Sequence, residues 1–260
     1  MRAEGKMGKS NAKRNGMEEN CFRKKKTATG VLAWAERIAP MYIWIPLIFE
    51  FVFNTCVYTG AKIIAGGWYH YNIETRLDVA IPFVPWTVAI YFGCYLFWAA
   101  NYILSVQGDA ASAWRFLSAD FLAKCVCLFF FLVFPTTNTR PEVVGNSVWD
   151  ILMRFLYRVD AADNLFPSIH CLTSWFCYIG IRGKKEIPKA YRSFSCLMAV
   201  AVFLSTLTTK QHVLADVAAG ALLAEATYVL TVKTGFVKKY QSFFEWADRT
   251  LHLKQKPERR

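Results

Sequence analysis

From residue 41 onward the chain alternates long apolar runs with short polar segments. An α-helix rises about 1.5 Å per residue, so crossing a hydrocarbon core of about 30 Å takes about 20 residues. Apolar runs at 41–58, 85–105, 116–134, 166–181, 193–209 and 213–232 therefore predict an all-α, polytopic membrane protein with six transmembrane helices. The fourth and fifth runs are short, which predicts that they start at the interface. An even number of crossings places both termini on one side. The pattern changes at each flank. The first 38 residues are polar and basic, and residues 1–29 read as a disordered arm. After 233, Phe236, Tyr240, Phe243, Ala247 and Leu251 fall at helical spacing with Lys238, Lys239 and Arg249 between them. That spacing predicts an amphipathic helix, either lying on a leaflet or packed on the bundle.

Composition sharpens this picture. Hydrophobic residues make up 55% and charged residues 19%, below the roughly 25% of a soluble domain. A disordered polymer is excluded, because such chains are poor in apolar residues. The net charge of +12 raises the question of an anionic partner. With the amino terminus inside, 24 of the 31 basic residues fall in cytoplasmic segments and six in outer ones. That asymmetry sets a topology with both termini cytoplasmic and accounts for the charge without nucleic acid. It also predicts attraction of the flanks to anionic lipid at the cytoplasmic face. The basic amino-terminal region is too long for a secretory signal. The expected organisation is a basic cytoplasmic tail at 1–38, a membrane catalytic domain at 39–233 and a basic amphipathic cytoplasmic tail at 234–260. The eight cysteines show neither disulfide nor zinc spacing, and most sit in apolar runs as small hydrophobes. No metal and no cofactor is expected.

The candidate chemistry lies at the outer ends of the runs. His212 and Asp216 are four residues apart, so a helix places them on one face. Asp216 can then accept from one ring nitrogen, fix the tautomer and leave the other nitrogen as a nucleophile. His170 begins the fourth run, and Arg140 follows the third. The predicted topology puts Arg140, His170 and His212 at the same face, although 72 residues separate the first from the last. Ionisable groups at membrane depth are costly, which makes the His212–Asp216 pair a functional candidate.

These residues resemble a family. Pro167-Ser168-Ile169-His170 is similar to the Pro-Ser-Gly-His motif of the type 2 phosphatidic acid phosphatase superfamily, the lipid phosphate phosphatases and haloperoxidases. Ser205, His212 and Asp216 resemble its Ser-Arg-x5-His-x3-Asp motif, and Arg140-Pro141 the end of its Lys-x6-Arg-Pro motif. The likeness covers about 136–220. It implies that His212 attacks phosphorus, Asp216 orients it, His170 protonates the leaving oxygen, and Arg140 and Ser168 hold phosphate oxygens. The family needs no metal for this. Three positions depart from the pattern: Val133 and Thr206 stand where the family has Lys and Arg, and Ile169 where it has Gly. Lys210 is the expected replacement cation, with Arg158 second. The altered cation set, with Lys210-Gln211-His212, resembles the branch that includes inositol phosphorylceramide synthase and sphingomyelin synthase.

The implied function is a lipid phosphatase acting through a phosphohistidine at the extracytoplasmic face of the cell membrane. Its partner is a membrane lipid substrate. The alternative is a phosphotransferase that moves a phospho-headgroup onto an alcohol or lipid acceptor, and the non-enzymatic alternative is a lipid transporter or membrane scaffold. Glu50 and Glu225, acids within apolar runs, are candidates for a polar cavity. Asp78 and the 81–86 run read as an outer helix start with an aromatic anchor, while His70 and His252 read as surface histidines.

Overall fold

The computed structural model describes residues 38–250. The predicted tail at 1–38, apart from its last residue, and the chain after 250, including Leu251 and His252, lie outside those residues. The remainder is a membrane-embedded helical protein. Five helices are long and apolar enough to cross a bilayer. They are α1 (Met41–Ala65), α3 (Val88–Val106, entered through the 3-10 turn Pro85–Thr87), α4 (Ala110–Val133), α7 (Lys189–Thr208) and α8 (Leu214–Lys233). Helix α1 runs seven residues past its predicted end, and α4 starts six residues early. In α4 the Asp109 carboxylate accepts from the Ser112 amide, and such a cap stabilises a first turn that has no intrahelical acceptors.

The predicted fourth span differs most. Residues 166–168 form the approach to α6 (Ile169–Arg182), a helix of only 14 residues. At about 1.5 Å per residue it falls short of the hydrocarbon thickness. It sits instead at the centre of the bundle, packed against α3, α4, α7 and α8, with Cys171, Leu172, Phe176 and Cys177 fully buried. Ser168 caps it, its hydroxyl accepting from the Cys171 amide at 3.3 Å. The Ser168 amide donates to the Asp216 carbonyl at 3.1 Å, which pins the start of α6 to the start of α8. Gly220 permits this approach, because a Cβ there would lie 2.6 Å from the Ser168 carbonyl oxygen.

One end of the bundle is built by loops. A two-residue parallel pairing joins β1 (Tyr71–Asn72) to β2 (Thr136–Thr137). A capped short helix α2 (Arg76–Ala80) follows β1, and an amphipathic helix α5 (Val148–Val159) follows β2. Helix α5 buries Met153 and Leu156 against Val88 and Tyr91 of α3. Its 12 residues are too few to cross a bilayer, and Arg154 and Arg158 lie among its apolar positions. At its other flank the chain forms the predicted amphipathic helix, α9 (Phe236–Thr250). Tyr240 and Phe244 are buried beside Trp114 and Phe121 of α4, so this helix packs on the bundle, and Phe243 and Trp246 stay exposed.

Candidate functional site

The segment between α7 and α8 carries the first candidate histidine, His212, and is held from several sides. The Gln211 and His212 amides both donate to the Thr206 carbonyl, at 2.9 and 3.1 Å. The Tyr157 hydroxyl donates to the Thr209 carbonyl and the Asn138 amide to the Lys210 carbonyl, each at 2.8 Å. Asp78 closes the clasp: one carboxylate oxygen accepts from the Leu214 amide at 2.7 Å, and the other from the Thr75 amide at 2.8 Å. Burial pushes the Asp78 pKa up, but bonds from Thr75 and the Leu214 amide and the charge of Lys210 outweigh it and hold the group below its ordinary range. Sequence reading saw Asp78 only as a helix start. Its contact with Leu214 spans 136 residues and leaves no local signal.

His212 Nδ1 lies 3.3 Å from Asp216 Oδ2, the arrangement that their spacing predicted. The same oxygen accepts from the Val213 amide at 3.0 Å, and Asp216 is wholly buried. Nδ1–H therefore faces the carboxylate, and Nε2 is the ring's free lone pair. His170 stands opposite, with ring centroids 5.8 Å apart. Both rings line one cavity of about 250 Å³, together with Asp160, Asp163, Asn164 and Gln211. Tyr91 stacks beside His170 at 4.5 Å between centroids, and its hydroxyl lies 3.4 Å from His170 Nδ1. That hydroxyl donates to Asp160 at 2.7 Å, and the Tyr58 hydroxyl donates to the other Asp160 oxygen. Burial raises the Asp160 pKa, but the His170 charge, both tyrosine hydroxyls and Arg140 more than reverse this, so the group stays ionised at neutral pH. Asp160 has no local sequence signal, since its partners Tyr58 and Tyr91 lie 102 and 69 residues away.

Arg140, Ser168 and Lys210 were expected around a phosphate, and their placement differs. None of the three lines the cavity. Arg140 donates to the Asp160 carbonyl at 2.5 Å, the Ala161 carbonyl at 3.2 Å and Gln211 Oε1 at 2.5 Å, and its guanidinium lies over the Tyr157 ring. It knits the cavity wall from behind. The Ser168 hydroxyl oxygen accepts the α6 cap bond from the Cys171 amide. Lys210 has a left-handed backbone, which turns its ammonium to the Asp78 and Ile81 carbonyls at 2.7 and 2.6 Å. Arg158 is exposed. Val133 is exposed as well, whereas Thr206 is buried and its hydroxyl donates to the Phe203 carbonyl.

The two acids within apolar helices, Glu50 and Glu225, are each held by neighbouring side chains. Glu225 accepts from Arg182 at 2.5 and 2.9 Å and from the Trp175 indole at 2.9 Å. Glu50 accepts from the Tyr240 hydroxyl at 2.5 Å and pairs with Lys124, which also holds Asp120. His70 is half-buried at the loop end, bonded to the Trp68 carbonyl. No group of three or more histidines, cysteines, aspartates or glutamates suited to a metal occurs among the described residues. The cavity's walls Asn54, Thr55, Tyr95 and Trp98 are shared with a second, mainly apolar cavity of about 470 Å³ between α1 and α3. Comparison of the chain with protein-family models, curated proteins and solved structures returns no match.

Proposed function

We propose that this protein is an integral-membrane enzyme that cleaves a phosphate ester of a membrane lipid through a phosphohistidine, a lipid phosphatase in the broad sense. The observation that carries this reading is the pairing of a carboxylate-oriented His212 with His170 across one cavity. A nucleophile, its orienter and a separate acid are the parts that such a displacement needs.

The steps balance as follows. His212 Nε2 attacks phosphorus as the P–O bond to the leaving alcohol breaks. Protonated His170 gives its Nε2 proton to that leaving oxygen and becomes neutral. Asp216 stabilises the positive imidazole that now carries the phosphoryl group. An incoming hydroxyl then loses its proton to His170 while its oxygen attacks phosphorus, and the P–N bond breaks to restore His212.

A second reading, transfer to an alcohol in place of water, is favoured by the adjoining apolar cavity, where a lipid acceptor can dissolve. A transporter reading is disfavoured, since transporters place their sites at the bilayer midplane in broken helices. Here the histidines stand at one end of long helices. In this proposal α6 counts as the sixth crossing, both termini are cytoplasmic, and the histidines lie extracytoplasmically in the cell membrane. Helix α9 presents Phe243 and Trp246 toward an anionic cytoplasmic leaflet.

Incubating the purified protein with labelled phospholipids, with and without alcohol acceptors, tests this. Free phosphate from a monoester, or a phosphomonoester from a diester, supports hydrolysis, and a new phosphodiester supports transfer. An unchanged lipid pool in every arm contradicts both.

A further inference from the structure

A transferring phosphoryl group spreads negative charge over its oxygens, and donors must meet it. Arg140, Ser168 and Lys210 do not line the cavity, so the donors nearest a bound phosphate are the side chains that do. Two side chains on the cavity wall carry a buried amide nitrogen without a partner, Gln211 and Asn164. Gln211 is buried, and its amide nitrogen has no hydrogen-bond partner. Its orientation is fixed by chemistry: Arg140 can only donate, so the Gln211 carbonyl oxygen must face it and the NH₂ group is the free end. Asn164 is buried as well, with neither amide atom partnered. Its backbone is left-handed, φ 53°, a conformation that asparagine tolerates better than most residues. A buried amide without a partner costs about 1–3 kcal/mol, so two on one wall beside two histidines need a reason.

The geometry points to Gln211 and Asn164 as the phosphate-oxygen donors, a neutral amide cradle that selects a singly charged phosphodiester over a doubly charged phosphate monoester. Arg140 is then a positioning residue that acts through Gln211. This rests on the proposed phosphoester chemistry and narrows its substrate to a phospholipid whose phosphorus carries two ester links.

Charge balance supports the selection. No Lys or Arg lines the cavity among the described residues, and its walls carry the carboxylates Asp160 and Asp163. Arg140 lies beside Asp160, and Lys62 is paired with Asp163 at 3.8 Å. Asp216, wholly buried behind His212, adds a third carboxylate to this end of the bundle. With no lysine or arginine on the wall to offset it, ligand charge is costly there: a diester brings one negative charge, and a monoester, whose second pKa is about 6, brings nearly two into a buried site.

The test uses the full-length protein in nanodiscs at pH 7.5, with phosphatidylmethanol as the diester and phosphatidic acid as the monoester of the same acyl chains. Phosphorus NMR reads binding from line broadening and turnover from new resonances. The wild type should bind phosphatidylmethanol about 10-fold or more tightly, since bonds to charged groups differ on this scale. Gln211→Glu keeps an acceptor for Arg140 and removes the donor, and should weaken diester binding by about 10- to 100-fold. Asn164→Gly keeps the backbone and removes the amide, and should weaken it by about 10-fold. Equal or tighter binding of phosphatidic acid, or unchanged diester binding in Gln211→Glu, overturns the cradle. Diester preference without any turnover instead sinks the enzymatic reading and leaves the cradle standing.

Discussion

Two buried polar clusters share this bundle and differ in how their groups are used. Around Lys124, charges meet each other. Its ammonium lies 2.7 Å from Asp120 and 3.7 Å from Glu50, and Tyr240 of α9 donates to Glu50. Around His212, no lysine or arginine lines the cavity among the described residues, and two imidazoles and two amides face it beside the carboxylates Asp160 and Asp163. The first arrangement ties α1, α4 and α9 together. The second leaves lone pairs and N–H groups free for something absent from the chain. Intramembrane charge alone therefore does not mark function in this protein. What sets the second cluster apart is a pair of imidazoles across one cavity, one of them oriented by a carboxylate.

The sharpest way to break the comparison is to remove one centre of each cluster. His212→Ala should lower turnover by about 10⁴-fold or more, as loss of a nucleophile does, and leave the thermal unfolding midpoint in detergent nearly unchanged. Lys124→Met should do the reverse. It strands Glu50 and Asp120, which costs about 3–5 kcal/mol, so unfolding should shift strongly while the folded fraction keeps its turnover. If Lys124→Met loses turnover without losing stability, the two clusters are not separate.

Next in size is Asp216→Asn. The altered side chain can present N–H to His212 and favour the wrong tautomer, with a fall in turnover of about 10²–10⁴-fold at unchanged lipid binding. His170→Ala should lose about 10²–10⁴-fold on a phospholipid but much less on an ester with a good leaving group, which needs no proton. An equal loss on both substrates would remove His170 from the acid role.

The smallest effect concerns the Asp78 clasp. Its folded pKa lies below the ordinary value, so its ionised form stabilises the fold fully above about pH 4 and loses that effect as pH falls through the folded value. Unfolding midpoints taken from pH 7 down to 3 should fall at the acid end in the wild type and fall less in Asp78→Asn. The difference is below about 1 kcal/mol once solvent screening is allowed for.

Much of this was legible from the chain, for identifiable reasons. Hydropathy found the long helices because a lipid-facing helix must be apolar along its length. It marks α6 in the same way, although burial inside protein selects the same residues as lipid does and only its 14-residue length sets it apart. The His212–Asp216 contact was readable because helical geometry fixes neighbours four apart. Arg140, Ser168 and Lys210 were placed by resemblance, and their side chains turned out to follow local demands: a cap at Ser168, a left-handed turn at Lys210, open carbonyls near Arg140. Asp78, Asp160 and Gln211 gave no local signal. Their partners lie 136, 69 and 71 residues away, and only the folded loops bring them together.

The most direct measurement is to trap the covalent intermediate. Purified protein is mixed with phospholipid labelled at phosphorus, quenched in alkali within a turnover, digested and mapped by mass spectrometry. The account predicts an alkali-stable, acid-labile phosphoryl group on His212 that is missing from His212→Ala. A turnover-competent protein with no phosphoryl group on His212, or with one on another residue, contradicts it.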